Sequence, residues 1–550
     1  MSDVFRRLGD DIPMPEATGD AGFPRDPKKA RAWVSALPRA NIAQTQAPLA
    51  AALAAAGRPG IEGATRLGVI EALRGPVHDL MLHLERQLAG SAFPLTPERE
   101  ALARQALDLQ CALAHGYRRA AWELCAPSGS VGLLKGGTVA EALERAAFHY
   151  ARVLCLAWHV YRAHPAGTWQ GLHRVAAFAE QVKLADKAVD DPLAAGGKAG
   201  VRALHLQALA AAATNPYAFD QAEQVQLWTL AGLYAGGMKL VDGEPAGAIP
   251  APIDADRGPA FGPADEDGGR RALDIAPLRA ALEAALARPG AELSFGAAKG
   301  VNVTLSVDTA ERIRRGFGNA AARGHDRMDA GHRIDTVLGL SGLHFHLAGG
   351  RDFDAFLRGA RIEVMDRAAW AHGAPGTVAV PTVEAEVLDQ SLGGYRLLWD
   401  GETGLRARVG ELAGLGVPAG AEVRHWMVGM VRWLRHEEDG AVMAGIELLA
   451  RRAEAVAMRA VGSAGQSRAP LRAIELDPVE SQLHGSGHLF LAPDMLDAKA
   501  ARFEVVRDAG LDAEHLDELA GEQIAATLEG VDVVLNAGDY LLVREKAVRP

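Results

Sequence analysis

The sequence predicts a multidomain α+β chain: an N-terminal all-helical domain, then a small closed β-barrel, then a small β-rich C-terminal extension. Three observations carry this. Apolar residues recur at helical spacing almost throughout residues 27–241. After Arg327 the period changes to short alternating runs broken by Gly and charge, a pattern suited to a small closed barrel. At 550 residues the chain can form several domains of roughly 150 residues, each with its own core.

Residues 1–26 contain Pro and Gly and read as a flexible tail. In the helical domain, 27–241, Leu107, Cys111 and Ala114 share one apolar face, as do Phe148, Ala151 and Cys155. Thr96-Pro97-Glu98 is a helix start: a capping hydroxyl, Pro in the first turn and an acid at the positive end of the dipole. Thr138 with Glu141 fits a capping box. Gly-rich breaks near 132–137 and 195–200 separate helices, and no fixed-period repeat is present.

Residues 242–269, rich in Gly, Pro, Ala and Asp, read as a linker. A small α/β connecting segment, 270–322, follows. It holds a helix over 274–287, a strand over 301–305, and a second helix with Asp308 as N-cap and Glu311 at the reciprocal position. The barrel occupies 323–460. Its strands fall at 334–345, 383–388, 394–399, 426–434 and 442–449, with an insertion at 347–378. The extension, 461–550, has candidate strands at 489–491, 503–506 and 540–543 and a helix around 512–529.

Composition narrows the function classes. Cys111, Cys125 and Cys155 form no Cys-x-x-Cys pair and sit in helical sequence as small core residues, usage that suits a reducing cytoplasm. The first residues, Met1 to Arg7, include no apolar segment and do not read as a signal peptide. No apolar run is long enough to span a bilayer. A net charge of −11 argues against broad nucleic-acid binding, so no DNA partner is expected. Walker loops, nucleophile elbows and dinucleotide fingerprints are absent.

The most informative stretch is Asp389-Gln390-Ser391-Leu392-Gly393-Gly394, a polar corner after the alternating run 383–388. It fixes two short polar side chains beside glycines. Upstream stands Arg323-Gly324-His325-Asp326-Arg327. Arg-x-x-x-Arg followed by Asp-x-Ser-x-x-Gly resembles the nucleotide-binding signature of PilZ domains, receptors for cyclic di-GMP. Further matches come in order. Arg406 to Leu412 resembles a strand with its Gly turn, Val428-Gly429-Met430-Val431-Arg432-Trp433 a later strand, and Gly445-Ile446-Glu447-Leu448 the closing element. The likeness covers roughly 323–460 and implies a six-stranded antiparallel β-barrel there. The gap from Arg327 to Asp389 is longer than is usual in the family, and the insertion at 347–378 accounts for it. Arg358 and Arg361 are the other basic pair on offer.

The resemblance implies a non-catalytic cytoplasmic receptor whose ligand, cyclic di-GMP, is bound by Arg323, Arg327, Asp389, Ser391 and Gly394, with no metal and no other cofactor. The helical domain would signal to an unidentified protein partner, and ligand binding would order residues 319–330. The residue types suit the ligand. Arg forks match phosphate and can also donate to guanine O6 and N7. Asp389 can accept from the guanine N1 and N2 donors, Ser391 can donate or accept, and Gly394 admits a close approach.

Two other function classes stand beside this one. A structural or adaptor protein could keep the barrel and the turn yet bind no nucleotide. A metal-dependent hydrolase could be built on His344 and His346, two apart and so on one face of a strand. Against the latter, no carboxylate is placed as a base. His149, His159, His164 and His173 read as surface or satisfied core groups, and Trp399, Trp426 and Trp433 as packing residues in strands.

Overall fold

The computed structural model describes residues 2–15, 23–38, 41–243, 245, 247–259, 271–288, 290, 292–296, 300–318, 327–359, 380–418, 424–437, 439–462, 468–478, 487–507 and 525–546. The chain divides into two compact units. One comprises 1–91 and 95–322, the other 92–94 and 323–550.

The first unit is mainly helical. Its helices are α1 (Asp3–Gly9), α2 (Pro27–Ser35), α3 (Ile42–Gly57), α4 (Gly63–Leu88), α5 (Pro97–Cys125), α6 (Gly136–His159), α7 (Thr168–Gln181), α8 (Val201–Ala213) and α9 (Gln221–Tyr234). A short hairpin, β1 (Val189–Asp190) with β2 (Lys198–Ala199), precedes α8. Helix α5 starts as expected: Thr96 Oγ1 accepts from the amide of Arg99, and Pro97 takes the first position. The start of α6 differs. Its N-cap is Lys135, without a side-chain cap, and Thr138 lies within the helix. The tail expected over 1–26 is in part a packed element. Phe5 and Leu8 of α1 are fully buried, and Arg118 of α5 donates to the carbonyls of Leu8 and Asp10 at 2.8 and 2.6 Å.

A buried charge cluster ties α4, α5, α6 and the hairpin together. Arg74 meets both Asp191 oxygens, at 2.8 and 2.7 Å, and donates to His149 Nε2 at 3.0 Å. Gln110 Oε1 lies 2.8 Å from His149 Nδ1. Arg145 reaches Glu144, Glu71 and Asp191. Burial holds His149 well below its ordinary pKa, with the Arg74 charge adding to the effect. Burial also pushes Glu144 up to about 8, against the pull of Arg145. With Glu144 protonated, the carboxylates of Glu71 and Asp191 balance the two guanidiniums. All three cysteines are free, and burial raises their thiols.

The segment read as a linker, 242–269, carries a strand. Strands β3 (Lys239–Asp242), β4 (Ile249–Ala251) and β5 (Arg271–Asp274) form a sheet in the order β3-β5-β4. Helix α10 (Ala276–Leu286), the hairpin of β6 (Glu292–Gly296) and β7 (Asn302–Ser306), and α11 (Val307–Gly316) complete the unit. Ser306, not Asp308, caps α11; its Oγ accepts from the amide of Thr309 at 3.0 Å. Asp308 instead lies in the first turn, where its charge also favours the helix.

The second unit is β-rich. It contains β8 (Met328–Asp329), β9 (Arg333–Leu338), α12 (Leu340–Leu347), α13 (Phe353–Gly359), β10 (Val383–Ser391), β11 (Gly394–Trp399), β12 (Leu412–Pro418), β13 (Arg424–His436) and β14 (Val442–Val461). Beyond these run β15 (Leu471–Pro478), β16 (Leu489–Pro493), β17 (Arg502–Arg507), β18 (Ala525–Leu528), β19 (Val531–Asn536) and β20 (Tyr540–Glu545). Strands pair in the order β11-β10-β9-β12-β13-β14, and β11 also pairs with β14. Trp399 is fully buried, its indole N–H donating to Thr336 Oγ1 at 2.8 Å.

Three expectations change here. The strand predicted over 334–345 ends at Leu338, and 340–347 is helix, because the apolar run there packs Leu343 against Val337, Leu412 and Trp426. Of the insertion at 347–378, α13 is described and packs Phe356 and Leu357 on Ala455 and Ala457; residues 360–378 lie outside the described residues. The extension is continuous with the preceding strands. The 20-residue β14 pairs with β11 and β13 in its first half and with β15 and β17 in its second. The helix expected around 512–529 lies outside the described residues up to 524, and 525–528 is strand.

The β11–β14 seam is tight. A Cβ added at Gly394 would collide with the carbonyl oxygen of Ile446. Gly394→Ala is therefore expected to destabilise the second unit by about 1–3 kcal/mol, read by thermal unfolding. An unchanged midpoint would mean that the seam opens there without cost.

The Glu144 proton gives a second expectation. Its folded value lies above the ordinary 4.5, so the native state holds a proton that the unfolded chain has lost between those values. Stability is undiminished below about pH 4.5 and falls as pH rises towards 8. Glu144→Gln mimics the protonated form. Denaturation followed by helical circular dichroism should show it gaining on the parent by on the order of 1–3 kcal/mol from pH 5 to pH 8. A constant difference would show that the proton is not held at Glu144.

Candidate functional site

The corner 389–394 is a two-residue hairpin turn between β10 and β11, with Ser391 opposite Gly394. Along β10 the side chains of Ala385 and Val387 point inward and are buried. Val387 pairs with the buried Leu397, whereas Asp389 pairs with Arg396, so Leu388 is an extra residue. This β-bulge changes the alternation. Cross-strand partners share a face, and Arg396, next to inward Leu397, faces outward. Asp389 is thereby turned to the outer face beside Arg396.

Two guanidiniums meet Asp389 there. Arg327 Nη1 donates to Oδ1 at 2.9 Å, and Arg396 Nε stands 2.7 Å from Oδ2. The Asp389 side chain is 8% exposed beneath arginines that are 45% and 37% exposed. Arg327 is delivered by β8, which pairs Met328 with Gln390 and Asp329 with Asp389. The amides of Ala330 and Gly331 donate to the carbonyls of Leu388 and Val387 and prolong that attachment. On its other side Arg396 is opposite Gly445, over which the Trp433 ring lies.

The turn itself is fixed from β14. The amide of Leu448 donates to the Gly393 carbonyl at 2.9 Å, and Arg451 donates to the Leu392 carbonyl at 3.1 Å. Ser391 Oγ is 3.4 Å from the Gly394 carbonyl, a weak bond that leaves the hydroxyl available. Leu392 at the tip and Met328 beside it are largely exposed. The glycine at 394 has a structural reason of its own, the approach of Ile446, apart from the ligand access inferred from sequence.

Of the five residues singled out from sequence, the structure gathers Arg327, Asp389, Ser391 and Gly394 at one end of β10 and β11. Arg323 lies outside the described residues, as does Arg361 of the other basic pair. Sequence reading missed Arg396. Its only signal is a cation two positions after the motif glycine, and the bulge that brings it opposite Asp389 leaves no mark in the residue pattern.

The histidine site is corrected. His344 and His346 lie on α12, where residues two apart diverge by about 200°. Their Nε2 atoms contact separate backbone carbonyls, of Val456 at 3.1 Å and Val380 at 3.0 Å. Among the described residues no group of three or more His, Cys, Asp or Glu is arranged to hold a metal. No helix among them is long and apolar enough to cross a membrane.

Comparison with known proteins adds to this geometry. The family model described as the N-terminal domain of the cyclic-di-GMP receptor FimW matches residues 28–245. The model described as the middle PilZ domain of the same receptor matches 254–372 and 363–455. The second match breaks inside the stretch read as an insertion and begins well upstream of Arg323. One relative, the cyclic-di-GMP receptor FimW of Pseudomonas aeruginosa, is 24% identical over 530 residues, covering 85% of this chain and 84% of the relative. No solved structure matches. The two models describe successive domains of one receptor and together span more than half of the chain, whose middle part is a PilZ-family domain.

Proposed function

We propose that this protein is a non-catalytic receptor for cyclic di-GMP that passes the binding event through its helical unit to a protein partner. The observation that carries this is the outward-turned Asp389 with Arg327 on it, beside Ser391 at the hairpin turn. The name of the Pseudomonas relative supports the same ligand. We read the circuit β11-β10-β9-β12-β13-β14, with its return pairing from β14 to β11, as a six-stranded PilZ-type barrel.

In this reading Asp389 accepts from guanine N1–H and N2–H, and Ser391 adds a hydroxyl beside them. Arg323 and Arg327 grip phosphate bidentately or donate to guanine O6 and N7. Arg327 must leave Asp389 to do so, which exchanges one charge-assisted bond for another at small net cost. A specific observation favours the alternative of a non-binding adaptor: Arg327 and Asp389, one from each half of the motif, already satisfy each other.

Titration calorimetry with cyclic di-GMP decides between them. The parent protein is expected to bind, and Arg323→Ala/Arg327→Ala to lose about ten- to hundredfold in affinity for each arginine removed. Binding that survives the double substitution would move the site to other arginines. No binding by the parent protein would leave the adaptor.

A further inference from the structure

We infer that Arg396 is a positioning residue that fixes Asp389 as a reader of guanine, an inference that rests on the receptor reading above. Asp389 has two cationic neighbours, and they are held differently. Arg327 precedes a two-residue strand attached to β10 by two residue pairs. Arg396 sits inside β11, hydrogen-bonded in register on both sides, opposite Asp389 on β10 and opposite Gly445 on β14. Arg327 is therefore the exchangeable partner of the carboxylate and Arg396 the fixed one.

The geometry of the fixed pair leaves room for a ligand. Arg396 Nε is 2.7 Å from Asp389 Oδ2 yet has no aligned hydrogen-bond acceptor among the described residues. The guanidinium thus acts on the carboxylate by charge at close range and leaves oxygen lone pairs open to an incoming donor. A guanine edge presents two parallel donors, N1–H and N2–H, which need both carboxylate oxygens in one plane. When Arg327 turns away to a phosphate, Arg396 still neutralises the largely buried carboxylate and holds Oδ2 in place by charge. Without Arg396, Arg327 becomes the only close guanidinium left to Asp389 among the described residues, and binding must break that pair. Adenine presents an acceptor at N1, so a carboxylate held in this way rejects it. Arg396 then governs selectivity through Asp389, without a place in either motif.

The test is calorimetry on the full chain with cyclic di-GMP and cyclic di-AMP, for the parent protein, Arg396→Lys and Arg396→Gln. The expected order of preference for the guanine ligand is parent, then Lys, then Gln. The Gln variant should weaken cyclic di-GMP binding by about tenfold or more and shrink the preference over cyclic di-AMP by a similar factor. A folded Gln variant with the parent's preference would overturn the inference while leaving the receptor reading intact. If circular dichroism shows the Gln variant unfolded, the Lys variant decides: a reduced preference supports the inference, and an unchanged one overturns it. Failure of the parent protein to bind cyclic di-GMP would overturn both.

Discussion

The extra residue at Leu388 is the constraint on which the rest of the candidate site depends. Strand geometry alternates side chains strictly, so a regular β10 would send Asp389 inward behind Ala385 and Val387. There a carboxylate would be buried without compensation, at a cost of several kcal/mol. One inserted residue reverses the parity, and the carboxylate lies covered between Arg327 and Arg396. The same shift sets the pairing that follows, Gln390 with Tyr395 and Ser391 with Gly394, and hence the position of the turn. Bulges next to binding sites commonly re-aim a side chain in this way.

The helical unit solves a related problem by a different route. Arg74, Arg145, Glu144 and Asp191 are buried together with Glu71 at their edge, so that three carboxyls face two guanidiniums. Burial favours the protonated form of Glu144, which brings the set towards neutrality. Such a network adds little net stability compared with a well-packed apolar core, but it penalises any other registration of α4, α6 and the β1–β2 hairpin. Tyr117, stacked on His149 with a 4° angle between ring planes, closes one side of it.

Much of this was legible from residue order. The helical half, the change of period after Arg327, the start of α5 at Thr96 and the hairpin at 389–394 all rest on local chemistry, and local chemistry is what a sequence displays. The misreadings share a cause. Residues 340–345 read as strand because a short apolar run is ambiguous in period; contacts with Val337 and Trp426 decide for helix. The N-terminal residues read as tail because the partners that dock α1, among them Trp122, Phe178, Arg118 and Arg174, are distant in the chain. His344 and His346 share a face only under a strand period, and they lie on a helix. Arg396 was passed over because its importance depends on a bulge, and a bulge is a relation between two strands. Each of these features is fixed by a partner far away in the chain.

Strand β14 has a consequence for how the second unit comes apart. Its first half belongs to the core around Trp426 and Met430, and its second half, with Val456 and Met458, to the core around Phe490 and Phe503. A single rod of backbone runs through both. Loss of either core exposes the flank of a strand that the other still needs, so the two share one cooperative unfolding event. A shortened chain ending near the close of the PilZ match would keep every motif residue, yet it would cut β14 before Val456 and leave Trp426, Met430 and Leu449 without Ile474, Leu491 and Leu542 against them. The boundary of heredity that a family match traces and the boundary of thermodynamic independence fall at different residues in this protein.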